Sequence, residues 1–206
     1  MRASTKRKIR KFISPIRRIG LKNKNFTIIS NNCWGGYIYD IFGLKYLSPT
    51  IGLYFMSNEY IKFISNLKYY LSFDAEVLEL KDSKYKEYFI SKSMNNVMLG
   101  KVNDVEFVFV HYKSAEDGVI KWNKRRHRIN FDNILIKYND QNMFTFQDLE
   151  NFKKVEFRKI FFTANKAFIS NPDTYYFNCY KKVGYVFDDI KKSLKYVNVK
   201  KILNNL

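Results

Sequence analysis

The apolar positions of this chain repeat with two periods, and the switches between them mark its elements. Residues 26–30 (FTIIS) form a short apolar run that reads as a buried strand. The run enters a polar, glycine-closed stretch, Asn31-Asn32-Cys33-Trp34-Gly35-Gly36, and a helix-like segment follows over 37–44. Strand, polar glycine turn, helix is the order in which open α/β sheets build ligand sites at the carboxyl ends of their strands. Residues 50–55 (TIGLYF) predict a second strand after the break at Ser48-Pro49. Ser57 caps a helix over 58–71, with Ile61, Ile64, Leu67 and Leu71 on one face.

Residues 75–80 predict a third strand, and 81–95 are polar and read as loop. Two strand-like runs, 97–102 and 105–112, joined by Asn103-Asp104, predict a β-hairpin. Ser114 starts a helix with Ala115, Val119 and Trp122 on its core face. Further strands are expected at 133–138, 158–163 and 175–180. Thr145, with Asp148 three residues on, caps a short helix. A last helix starts near Asp188-Asp189 and carries Ile190, Leu194 and Val197 on one face. Alternating strands and helices define an α/β domain, and the hairpin makes its sheet mixed.

Composition changes this picture mainly at the N-terminus. At 206 residues with 46% hydrophobic content, the chain suits one domain with a substantial core. The net charge is +18, which calls for an anionic partner or surface. Ten of the 37 Lys and Arg fall within residues 1–24, which hold no acid, so more than half of the excess sits there. Apolar residues recur in that arm at Ile9, Phe12, Ile13, Ile16 and Ile19. The division expected is therefore a basic amphipathic arm, 1–24, and one α/β domain, 25–206. Such an arm suits an anionic membrane surface, or it is a solvated basic tail. No secretory signal and no membrane span of about 18–20 apolar residues is present, so the expected location is the cytoplasm, peripheral to the membrane's inner face. The two cysteines, Cys33 and Cys179, do not make a disulfide scaffold.

Three segments carry candidate chemistry. The amides of Asn31 and Asn32, with backbone N–H groups at a helix start, suit an anion or a sugar hydroxyl. Gly35 and Gly36 would let a ligand approach the backbone, and Trp34 would stack on a sugar or base. The other reading is a tight turn with Trp34 in the core. Cys33 is a weaker candidate nucleophile. Lys121, Lys124, Arg125 and Arg128 fall at i, i+3, i+4 and i+7, one basic stripe that is either a phosphate clamp or a solvated helix face. His111, at a strand end, and Asp140, in the turn after residues 133–138, are the candidate acid or base groups. No dinucleotide or phosphate-loop fingerprint is present, nor DxD, HExxH, CxxC or GxSxG, so neither a metal nor a cofactor is expected.

Three blocks together resemble a known family: FTIISNNCWGGYIY; SPTIGLYFM with the aromatic-rich helix after it; and HYKSAEDGVIKWNKRRHRIN leading into FDNILIKYND. They are similar to the bacterial exopolysaccharide-biosynthesis proteins grouped as domain of unknown function 1919. The resemblance covers roughly residues 25–165 and leaves the basic start as an addition of this chain. It implies a three-layer, Rossmann-like α/β fold and a setting in capsule or surface-polysaccharide synthesis. Within that setting, one expectation is a sugar transferase or sugar-modifying enzyme. Its nucleotide-sugar donor, or other anionic sugar phosphate, would place its phosphates near Gly35-Gly36 and the basic stripe. The alternative is a non-catalytic accessory protein binding an anionic glycan, a lipid headgroup or a partner enzyme. No specific nucleic-acid partner is expected, because no recognised nucleic-acid motif accompanies the charge.

Overall fold

The computed structural model describes residue 10, residues 12–170 and residues 172–206, without the side chain of Lys191. Ile9, the first apolar position of the expected arm stripe, lies outside the described residues. Four parallel strands form one sheet in the order β1 (Thr27–Ser30), β6 (Ile134–Asn139), β7 (Arg158–Thr163), β8 (Thr174–Tyr176). The register pairs Ile28 with Leu135 and Lys137 with Ile160. Between β1 and β6 the chain builds a second, antiparallel sheet in the order β2 (Leu53–Tyr54), β5 (Val105–Phe109), β4 (Met98–Val102), β3 (Glu76–Leu78). The expected hairpin is there, with Asn103 at φ 52° in its turn. The fold is α/β as expected, but the hairpin does not make the sheet mixed: parallel and antiparallel pairings are housed in separate sheets. The two sheets touch where the N–H of Phe55 donates to the carbonyl of Asn31 at 3.0 Å.

Strand alternation sorts the side chains of the parallel sheet into two cores. Ile28, Leu135, Ile160 and Phe162 face α1 (Trp34–Phe42) and the C-terminal helices α7 (Asp189–Tyr196) and α8 (Val199–Asn204). Ile29, Ile136, Tyr138 and Phe161 face α2 (Ser57–Ser65) and α6 (Phe146–Lys153), with the antiparallel sheet and α5 (Ala115–Arg126) beyond. Helices on both faces of a parallel sheet make the three layers. The outer edge of β1 is closed by side chains. The Tyr39 hydroxyl donates to Phe26 O at 2.9 Å and accepts from Ile28 N at 3.1 Å, and Ser30 N donates to Thr50 Oγ1 at 3.2 Å.

Several expected elements change in extent or orientation. The strand expected over 50–55 shrinks to Leu53–Tyr54, because Gly52 takes φ 75° and Thr50 serves the edge of β1 instead. The helix expected over 58–71 breaks at Asn66 (φ −137°, ψ 51°) into α2 and α3 (Leu67–Leu71). The polar stretch 81–95 is not all loop: it holds α4 (Lys86–Ser91), pinned by the buried Phe89. The last strand ends at Tyr176 and continues as a 3-10 turn. On α7 the inward row is Asp189 and Ser193, with Val197 just beyond, while Leu194 is exposed. Asp189 turns the helix, because it has a buried partner on β6. The caps of α5 and α6 follow the expectation: Ser114 Oγ accepts from Asp117 N at 3.2 Å, and Thr145 with Asp148 forms a full capping box.

The N-terminal segment is docked on the domain. Residues 12–17 are helical, Ser14 is buried, and Leu21 joins the core around α1. Asn204 accepts from Lys22 N and donates to Gly20 O, both at 2.8 Å.

Two glycines set how closely α5 lies on the antiparallel sheet. A Cβ on Gly118 would meet the Phe109 ring at 2.6 Å, and one on Gly100 would meet Phe107 at 2.6 Å and Phe109 at 2.7 Å. Trp122 then stacks on Phe107 at 4.5 Å between centroids. Helix propensity favours Ala over Gly by about 1 kcal/mol, while overpacking costs about 1–3 kcal/mol. Phe109 is wedged against Phe107 and Tyr112, so overpacking wins. Gly118→Ala should lower unfolding stability by up to about 2 kcal/mol in urea titration; a stabilised variant would contradict this packing.

Candidate functional site

Parallel strands bring their carboxyl ends to one edge, and there the structure assembles a buried polar cluster. Lys137 extends the face of β6 that carries Leu135, and its side chain is 0% exposed. Its ammonium donates to Asn31 Oδ1 at 3.2 Å, to Asn32 Oδ1 at 3.1 Å and to Asp189 Oδ2. It also lies 5.2 Å from the centre of the Phe162 ring. Asp189, 2% exposed at the start of α7, accepts in addition from Asn32 Nδ2 at 2.9 Å and Asn139 Nδ2 at 3.2 Å. Asn31 Nδ2 donates to Asn139 Oδ1 at 2.6 Å, and Asn139 Nδ2 to Gln141 Oε1 at 3.1 Å. Burial pushes the Lys137 ammonium down from its usual range, and Asp189 opposes the shift.

The asparagines of the expected turn therefore spend their amides on the protein. Asn31 and Asn32 bind Lys137, Asn139 and Asp189. Trp34 is fully buried with its ring edge-on to Phe162 at 5.4 Å. Gly35 and Gly36 admit side chains rather than an open ligand face: added Cβ atoms would meet Ile28 and Ile51, each at 3.1 Å. Cys33 donates to Leu53 O at 3.7 Å. Burial first, then the Asp189 charge, pushes its thiol up to about 12, with Lys137 opposing, so it is not a thiolate at neutral pH.

Asp140 lies beside this cluster and acts as a brace. One oxygen accepts from Thr163 Oγ1 at 2.8 Å and Ala164 N at 2.9 Å, the other from Val186 N at 2.7 Å. Burial holds its carboxyl above the usual range, against those hydrogen bonds. His111 is exposed at the end of β5, in the other sheet. The structure does not bring His111 and Asp140 together.

The basic stripe forms a site of its own. Lys121, Lys124, Arg125 and Arg128 line one wall of a cavity of about 630 Å³, and Arg18, Lys45 and Tyr46 line the rest with the end of α1. Arg125 is held in place: it donates to the Tyr112 hydroxyl at 2.9 Å and stacks 5.1 Å from the centre of the Tyr46 ring. Arg128 reaches Tyr46 O at 3.5 Å. The carboxylate in the lining, Asp40, accepts from Tyr46 Oη at 2.6 Å and sits 3.8 Å from Arg10. Residues 51–53 link this cavity to the glycine turn, because Tyr112 Oη donates to Ile51 O while Cys33 donates to Leu53 O.

Lys137, Asn139, Gln141 and Asp189 were not among the site residues expected from the sequence, nor were Arg18, Lys45 and Tyr112. For Lys137 a signal existed: a charge at the core-facing phase of ILIKYN. Among the described residues no group of three or more His, Cys, Asp or Glu is placed to hold a metal. No helix among them is long and apolar enough to cross a membrane.

The family described as "Domain of unknown function (DUF1919)" matches residues 4–205. The chain belongs to it. The match takes in most of the basic arm, which is therefore not an addition to the family pattern, contrary to the expectation from the three sequence blocks, and it runs on beyond residue 165 to 205. A protein of Haemophilus influenzae, described as "Uncharacterized protein", is 26% identical over 189 residues, covering 91% of this chain and 85% of that relative.

Removing one member of a buried ion pair strands the other charge. Lys137→Met or Asp189→Leu should each cost about 3–5 kcal/mol in urea unfolding, and the two together much less than their sum. Strict additivity would refute the coupling. Thiol chemistry reads the same cluster: the exposed Cys179 should react with Ellman's reagent in the native protein at neutral pH, and Cys33 only on unfolding. Two fast native thiols would show the turn to be open.

Proposed function

We propose that the protein binds a ligand carrying two or more phosphates in the basic cavity, a nucleotide sugar or related sugar phosphate. On this reading it acts in the cytoplasm as a sugar transferase or sugar-modifying enzyme of exopolysaccharide or capsule assembly. The carrying observation is the cavity itself: six cations from three separate stretches of chain face one carboxylate that is already hydrogen-bonded. Converging cations repel one another, and a polyanion relieves that cost. Arg125 supports the reading further, because its planar fork is already oriented by Tyr112 and Tyr46, so less side-chain entropy is lost on binding phosphate. The polysaccharide setting comes from the resemblance of the sequence blocks.

One observation favours the accessory role in the same pathway. His111 and Asp140, the candidate acid and base, do not line the basic cavity. A protein that holds the donor or an anionic glycan without reacting it needs no such group there.

Calorimetric titration with UDP-glucose, with pyrophosphate as the minimal probe, tests the reading. Lys121→Ala with Arg125→Ala should weaken binding at least about tenfold, since each charge-assisted hydrogen bond contributes about 1.5–3 kcal/mol. Unchanged affinity in that variant, or no binding by the intact protein, would sink it. Sugar transfer or donor hydrolysis by purified protein separates the enzyme from the accessory role.

A further inference from the structure

We infer that the protein docks on an anionic membrane surface through Phe12, Ile16 and Ile19, the outward stripe of its N-terminal segment. The three side chains are 86%, 68% and 71% exposed. Their spacing of i, i+4 and i+7 puts them on one side of the helical segment and its continuation. A free amphipathic helix hides such a stripe by folding it onto its own domain. Here the segment is already docked, by Leu21 in the core around α1 and by polar groups along its inner side. Ser14 is buried against the end of α1, where a Cβ on Gly43 would come within 2.3 Å of the Ser14 hydroxyl. Lys200 Nζ donates to Ile19 O at 2.9 Å, and Asn204 holds Gly20 and Lys22. The fold thus fixes the stripe facing out, so its exposure is a property of the folded chain.

The surroundings decide what covers it. On one side of the segment lies the basic cavity, entered by Arg18 and walled by Lys121, Lys124, Arg125 and Arg128. On the other lies a groove of about 440 Å³ whose lining includes Arg17, Lys195 and Lys200 and the exposed Leu194. An apolar ridge between two cationic troughs complements a lipid surface, with acyl chains beneath the ridge and anionic headgroups in the troughs. A second copy of the same face would set these cations against each other, so charge opposes a symmetric dimer there.

Co-sedimentation of the full chain with vesicles of phosphatidylglycerol and phosphatidylcholine, against pure phosphatidylcholine, tests the inference. Binding should require the anionic lipid. Phe12→Ser, Ile16→Ser and Ile19→Ser together should reduce it at least about tenfold, as expected when apolar insertion supports a charged contact. The unfolding midpoint and the affinity for UDP-glucose should stay unchanged, because these side chains neither pack in the core nor line the basic cavity. A second variant, Ile16→Trp, should be quenched by brominated lipid, since Trp34 and Trp122 are fully buried. Equal binding to both vesicle types, no binding, or full retention by the triple variant would overturn the inference. So would sedimentation showing that the stripe joins two copies. Failure to bind UDP-glucose alone would overturn the ligand assignment and leave this surface standing.

Discussion

The architecture depends on one buried charge. Lys137 occupies a position on β6 whose neighbours along that face, Leu135, Ile160 and Phe162, belong to an apolar core. An ammonium there must be matched, because an unpaired ion in such surroundings costs several kcal/mol. The match draws two distant stretches to β6: the turn after β1 supplies Asn31 and Asn32, and α7 supplies Asp189, which Asn139 of β6 also binds. Docking Asp189 carries residues 184–188 across the carboxyl edge of the sheet. Gln141 then donates to Phe187 O at 2.7 Å, and Asp140 accepts from Val186 N. The C-terminal helix is thereby tied to the first strand through a polar knot whose specificity lies in its geometry.

That knot changes where a ligand would be sought. The carboxyl edge of a parallel sheet is the usual place, since strand ends and helix starts leave unpaired polar groups there. In this chain the groups nearest the glycine turn are paired with one another. The basic helix α5 has the converse arrangement. Lys121, Lys124, Arg125 and Arg128 line a cavity with one acid among its lining residues, and of these four Lys121 also pairs with Asp117 at 3.3 Å. Electrostatics thus separates a structural cluster, neutral by internal pairing, from a cavity wall where cations outnumber acids.

The fold was largely legible because both periods were clean. FTIIS, NILIKY and RKIFFT are short apolar runs that form the buried strands of the parallel sheet, and the capping signals at Ser114 and Thr145 were read correctly to the residue. The misreadings share a cause, a contact distant in sequence that overrides a local signal. Thr50 leaves its strand to close the edge of β1. Phe89 orders a helix in a polar stretch by burying under β4 and β5. Asp189 rotates α7 so that a polar row faces inward and Leu194 outward. The basic stripe was legible because helical spacing alone places its four members on one face. Arg18 and Lys45 were not, since only tertiary docking of the N-terminal segment brings them to that wall.

The glycine turn shows why a motif of the right type can serve a different end. Asn, Asn, Gly and Gly after a strand are what a phosphate or sugar site needs, because amides and bare backbone are good ligand surfaces. The same residues are what a buried lysine needs. The amide oxygens of Asn31 and Asn32 accept from its ammonium, and Gly35 lets α1 approach β1 until Ile28 fills the space a Cβ would take. The two uses differ in one respect that the chain itself carries. A turn that serves an external anion needs no cation at the strand position beside it, whereas a turn that solvates an internal cation needs one there. β6 pairs with β1 in register, Ser30 against Lys137, and the cation stands at that position. The lysine in NILIKY, rather than any residue of NNCWGG, decides which of the two uses this turn has.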